Sequence, residues 1–180
     1  MPSFYGHRRR FRDLSEQEIL ALAISSEEDD ARIYRSYAEK LRADFPASAA
    51  LFDGMAAEED RHRQSLIALH RIRFGEVIPL IRREHVAGFH ARRPVWLMEG
   101  MSLDKIRGEA EAMERQAANF YQLAASHSSD AATRKLLGDL AAAEAQHEST
   151  AQQLEQDHLG AEPRQTEDEA ARRRFLLTWV

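Results

Sequence analysis

Cysteine is absent from all 180 residues. That excludes a disulfide framework, a thiolate zinc site and an iron–sulfur cluster. Proline (5) and glycine (8) are scarce, so long helices meet few breakers. No run approaches the roughly 18 apolar residues of a membrane helix. The opening segment MPSFYGHRRRFR is basic with no apolar core behind it, unlike a secretory leader. Neither sign of charge dominates strongly: the net is −5, which argues against a general nucleic-acid binder.

What is present is helix-forming. Hydrophobic residues make up 43% and charged residues 31%, with long stretches rich in Ala, Glu, Leu and Arg, a mix that favours one mostly helical domain with a real core. Ser15-Glu16-Gln17-Glu18 has the form of a capping box and starts a helix ending near Asp44. Pro46 suits the first turn of a second helix, which runs to about Phe74, with Gly75 as its C-cap. Ser102 caps a third helix, to about Ser126, and Asp130 a fourth, to about His158. The connection over 75–101 is far longer than an ordinary helix–helix loop, so it crosses the length of a bundle. Short helical turns are expected in it at 83–87 and 95–99, and a last short helix at 168–177. The organisation expected is a basic arm (1–12), an all-α four-helix bundle of two hairpins with a long crossover (13–160), and a C-terminal linker and helix (161–180).

The two hairpins carry the same constellation. Glu59-Asp60-Arg61-His62 and Glu144-Ala145-Gln146-His147 are Glu-x-x-His motifs, and each follows a helix bearing a glutamate with a tyrosine seven residues on: Glu27 with Tyr34, Glu114 with Tyr121. Residues 55–62 (MAAEEDRH) align with 140–147 (LAAAEAQH). Ser48, Leu51 and Phe52 match Thr133, Leu136 and Leu137 at the same offset, which points to internal duplication. One Glu-x-x-His on a charged helix usually describes a solvated face. Two of them on apolar stripes, each with its own Glu and Tyr, describe a shared interior site.

Residues i and i+3 lie one turn apart on one helix face. Glu59 therefore points with His62, and Glu144 with His147. Glu27 stands in phase with Ile24, Ala31 and Tyr34, and Glu114 with Ala118 and Tyr121. Four carboxylates in one core are costly without compensating cations or protons. Two divalent ions would neutralise them and two imidazoles would complete the ligand set. That set suits iron and manganese, and zinc to a lesser extent. Glu28 is the rival of Glu27; the Tyr34 spacing favours Glu27. His85 and His90 with Glu84 offer an accessory cluster, against the plainer reading of exposed loop histidines. The run Arg8-Arg9-Arg10 reads as solvated, or as lying near an anionic membrane.

At these residues the chain resembles the ferritin-like di-iron superfamily, most closely the rubrerythrin branch, whose pattern is one Glu from each of two helices and a Glu-x-x-His from each of the others. More narrowly, over roughly 13–180, it is similar to the rubrerythrin-like (erythrin) domain of membrane-bound ferritins, which precedes a transmembrane domain of the vacuolar-iron-transporter type. The supporting segments include residues 14–20 (LSEQEIL), 78–83 (IPLIRR) and 91–96 (ARRPVW). The end RRRFLLTWV, basic and then apolar, fits the cytoplasmic flank of a membrane span. The resemblance implies that Glu59 and Glu144 bridge two iron ions, that Glu27, Glu114, His62 and His147 are terminal ligands, and that Tyr34 and Tyr121 hydrogen-bond the carboxylates. Glu111, one turn before Glu114, is the candidate for an additional ligand; rubrerythrins carry an extra glutamate on the other side, where this chain has Ala117. The cysteine-ligated rubredoxin domain of rubrerythrins is missing, which turns the expectation from peroxidase turnover to oxidation of Fe(II) by dioxygen or hydrogen peroxide. The implied setting is a cytoplasmic domain on the cytosolic face of a membrane, serving iron detoxification or export and oxidative-stress resistance. A homodimer is expected, with the long connection giving room for hairpin exchange. A non-enzymatic iron sensor or dimerisation module, and a peroxidase fed by an external donor, stay open at this point.

Overall fold

The computed structural model describes residues 8–89, 92 and 101–159, with the backbone alone over 148–159. His7, His90, the side chain of His158, the turn expected at 95–99 and the helix expected at 168–177 lie outside the described residues. Four helices carry the fold: α1 (Glu16–Leu41), α2 (Pro46–Phe74), α3 (Leu103–His127) and α4 (Ala131–Leu159). No described helix is long and apolar enough to cross a membrane.

The helix boundaries follow local chemistry. Ser15 Oγ accepts from Glu18 N–H at 3.3 Å while Glu18 Oε2 accepts from Ser15 N–H at 2.9 Å, a complete capping box. Pro46 occupies the first turn of α2, where its missing N–H breaks no helical bond. α2 stops at Gly75, whose φ of +84° a side chain would disfavour, and its N–H reaches Arg71 O at 3.1 Å. Ser102 Oγ accepts from Lys105 N–H at 3.4 Å. Asp130 Oδ1 accepts from Thr133 N–H at 2.8 Å and caps α4. The α1–α2 turn is clipped by Arg42 and Asp53, 3.0 Å apart across the hairpin.

The connection departs from expectation at two points. Among its described residues only Arg83–His85 is helical, as a single 3₁₀ turn. Val86–Ala87 (β2) instead pairs in parallel with Arg9–Arg10 (β1). The basic arm is thus stitched to the crossover by backbone hydrogen bonding, a non-local pairing that side-chain periodicity does not encode. Arg8, Arg9 and Arg10 are exposed, and two of them are paired: Arg9 with Glu18 and Arg10 with Asp13 at 2.7 Å. Just behind them Phe11 is buried, stacked on Phe89 and edge-on to Phe120.

A triad centred on the buried Asp30 also pins the crossover. Asp30 of α1 receives two hydrogen bonds from Arg83, at 2.8 and 2.5 Å, and two from Arg92, at 2.6 and 2.9 Å. Arg92 also reaches Gln116 of α3 at 2.8 Å. The two guanidiniums outweigh the burial of Asp30 and hold its pKa down to about 2.

The apolar core is divided in two. One cluster gathers Leu20, Leu22, Leu66, Phe120, Leu137 and Leu140. The other gathers Tyr34, Tyr37, Phe52, Met55, Ile106 and Met113. On α1, α2 and α3 the stretch between them holds a buried glutamate: Glu27, Glu59 and Glu114. Glu144 joins this layer from α4, one turn beyond Leu140 and Ala141. A carboxylate layer is therefore sealed above and below by apolar packing. Each helix is closely paired within its own hairpin, with far fewer close backbone approaches between hairpins, and the layer lies between the two.

Candidate metal centre

Each carboxylate in the layer is there because of its helix phase. Glu27, Glu59, Glu114 and Glu144 are 3%, 2%, 1% and 1% exposed, burial seldom seen for glutamate without a partner. Their oxygens and the histidine nitrogens form two overlapping groups. One comprises Glu27, Glu59, His62 and Glu144, the other Glu59, Glu114, Glu144 and His147, with ligand-type atoms within 4.8 Å of one another in each. Glu59 and Glu144 belong to both. All six residues meet within one chain, so exchange of hairpins is not needed to bring them together.

The tyrosines cross between hairpins. The Tyr34 hydroxyl of α1 donates to Glu114 Oε1 of α3, and the Tyr121 hydroxyl of α3 donates to Glu27 Oε1 of α1. Both tyrosines hydrogen-bond carboxylates of the layer, as the resemblance implies, and each reaches the glutamate of the other repeat rather than the one seven residues before it. The reciprocal bonds occupy one oxygen of each glutamate and leave the other facing the centre.

The remaining donor atoms are unsatisfied. Among the described residues, seven buried side-chain nitrogen or oxygen atoms have no hydrogen-bond partner. Five belong to this layer: Glu27 Oε2, His62 Nδ1, Glu114 Oε2, Glu144 Oε1 and His147 Nδ1. His62 Nδ1 is 3.0 Å from Glu144 Oε1, 3.4 Å from Glu59 Oε2 and 3.8 Å from Glu27 Oε2; the nearest approach has the distance of a hydrogen bond without its angles. His147 Nδ1 is 3.5 Å from Glu114 Oε2. The two imidazoles lie nearly parallel, 6.0 Å apart. Orphaned atoms of this kind are costly in a folded protein, and one cation in each of the two groups would satisfy all five between them. The donor set, four carboxylates and two imidazoles, fits two divalent ions of the iron and manganese type.

Electrostatics agree with that fit. Burial, then the neighbouring Glu59 and Glu144, push the Glu27 carboxyl well above the usual range. Burial and the Glu59 charge push Glu144 up to about 11. Burial also acts on Glu114, but His147, Glu144 and the Tyr34 hydroxyl outweigh it and leave that carboxyl below its ordinary value. His147 is raised to about 9, chiefly by Glu114. Without cations, the layer meets its own repulsion by holding protons.

Other expected residues fall elsewhere. Glu111 is half-buried and in neither group. Glu28 is exposed and pairs with Arg32 at 3.5 Å. Ala117 lines a separate cavity of about 360 Å³ with Phe11, Phe89, Arg83, Arg92 and Phe120. Glu84 and His85 are exposed, and the His85 ring accepts from Arg82 N–H at 3.1 Å; neither joins a metal-type cluster among the described residues. Two features escaped the sequence. Asp30 stands one turn after Glu27 and could have been flagged as a second inward carboxylate, though nothing local identified its arginines. Glu58, the neighbour of Glu59 in sequence, is joined to the layer from outside: its Oε2 meets His147 Nε2.

Compared with known protein families, the chain matches the rubrerythrin family model over residues 18–155. Neither the curated proteins nor the solved structures gave a match.

Proposed function

The chain belongs to the rubrerythrin family, and from that premise we propose that it binds two iron ions between its hairpins and oxidises Fe(II) with dioxygen or hydrogen peroxide. The observation that carries the reading is the convergence of five buried, unpartnered donor atoms on one carboxylate layer. In this reading Glu59 and Glu144, common to both groups, hold both ions. Glu27 and His62 complete one position, and Glu114 and His147 the other. Tyr34 and Tyr121 keep Glu114 and Glu27 turned so that the free oxygen of each faces the ions. When bound, the ions supply the electrons that reduce the oxidant. The apolar clusters on either side keep bulk water from competing for the carboxylates.

The finer sequence likeness leads us to propose a role in iron detoxification or export beside a membrane iron transporter, on its cytosolic face. A homodimer is part of the same proposal, and light scattering of the metal-loaded protein tests it. The oxidase reading is tested by loading the protein anaerobically with Fe(II) and then admitting air. Oxygen consumption above the buffer rate, with a new near-ultraviolet ferric absorbance, is expected. Iron that stays bound and ferrous, with no oxygen consumed, would leave a sensing or structural metal site and refute the oxidase.

A further inference from the structure

The two metal positions differ in one respect that the duplication makes visible. At the repeat offset that aligns Glu59 with Glu144, Glu58 aligns with Ala143. Glu58 Oε2 meets His147 Nε2, on the edge of the ring facing away from the centre. The other oxygen, Oε1, is 3.2 Å from Arg61, so the carboxylate is braced from its own helix. His147 Nδ1, on the opposite edge, is buried, unpartnered and turned toward Glu114. His62 likewise presents Nδ1 to the centre, but the repeat places the methyl group of Ala143 where a matching carboxylate would stand.

We propose that Glu58 is a positioning residue that makes the two metal positions inequivalent, by fixing His147 with Nε2–H outward and the Nδ1 lone pair inward. This rests on the two-ion reading above. A carboxylate behind a ligating imidazole sets its tautomer, locks its rotation and raises its basicity, and losing such a partner costs about 10–100-fold in metal affinity. The position served by Glu114 and His147 is therefore the tighter of the two, and it fills first. Ala143 leaves the imidazole of the Glu27 position without that support.

The test is anaerobic calorimetric titration of the full chain with Mn(II) alone. The wild type is expected to bind two ions in two resolved steps. Glu58→Ala should weaken the first step by about 10–100-fold and leave the second unchanged. Glu58→Gln, which keeps the shape and an acceptor oxygen, should fall between the two. In a His147→Ala background, Glu58→Ala should cost nothing further, a coupling that a general loss of fold would not produce. Unchanged binding in Glu58→Ala, equal weakening of both steps in Glu58→Gln, or a full additional loss in the His147→Ala background would each overturn the assignment. A wild type that binds no pair of ions would instead overturn the two-ion reading on which it rests.

Discussion

Loading the centre with metal should expel protons, and the number follows from the structure. Glu144, raised to about 11, is protonated at pH 7, and burial with its carboxylate neighbours pushes Glu27 in the same direction. His147, raised to about 9, is an imidazolium there. Glu144 and His147 must each lose a proton to ligate a cation, so at least about two protons leave as two ions bind. Deprotonating Glu144 alone at pH 7 costs on the order of 5 kcal/mol, from four pKa units at 1.36 kcal/mol each. That is smaller than the roughly 10–16 kcal/mol apparent for tight structural zinc sites, so the ions prevail, but affinity should climb steeply with pH. The assay is calorimetry with Mn(II) in buffers of differing ionisation enthalpy, where the slope of observed against buffer enthalpy counts the protons. At least about two per pair are expected at pH 7, falling by about one above pH 9 as His147 arrives already neutral. Fewer than one proton released, with two ions bound, would refute the protonated layer.

The metal-free protein should lose stability as pH rises. Glu144 binds its proton in the folded state up to about 11 but in the unfolded chain only to 4.5, so between those limits the folded state holds more protons and each such group lowers stability by about 1.4 kcal/mol per pH unit. Urea unfolding at pH 6 and pH 9 checks the sign, and a rise in stability would contradict it. Tyr121→Phe leaves the buried Glu27 Oε1 without its donor and should cost about 1–3 kcal/mol in the same assay; a loss below about 0.5 kcal/mol would count against that bond. Asp30→Ala strands the buried Arg83 and the half-buried Arg92 and should destabilise by about 3–5 kcal/mol, with faster amide exchange over residues 83–89; an unchanged melting temperature would contradict the triad. Asp30 itself, at about 2 when folded against 3.8 when unfolded, contributes about 2 kcal/mol above pH 4 that is lost as pH falls toward 2. Asp30→Asn should show a flatter acid limb, and a limb identical to wild type would refute the linkage.

What was legible in the sequence was whatever a helix writes in periodic form. Ser15, Pro46, Gly75, Ser102 and Asp130 mark helix ends through chemistry confined to a few neighbouring residues, and the structure places the ends within a few residues of them. Glu59 with His62 and Glu144 with His147 were readable because i and i+3 share a face. The tyrosine partners were not: Tyr34 and Tyr121 reach across to the opposite hairpin, and a spacing within one helix says nothing about which neighbour fills the facing groove. The crossover was least legible. Arg83 and Arg92 find Asp30, and Arg9–Arg10 find Val86–Ala87, through contacts more than fifty residues apart in the chain, and loops carry no period to announce them. Glu58 was hidden differently: its role depends on the far edge of a ring on another helix, and only the mismatch with Ala143 hinted that the repeats had diverged there.

Every role proposed for the carboxylate layer depends on Glu59 and Glu144 jointly holding two ions. Metal counting by elemental analysis after equilibrium dialysis against Mn(II), on the wild type and the Glu59→Ala/Glu144→Ala variant, tests this most directly. The wild type should hold about two ions per chain and the variant fewer than one, with helicity retained by circular dichroism. A folded variant that still holds two ions would contradict it.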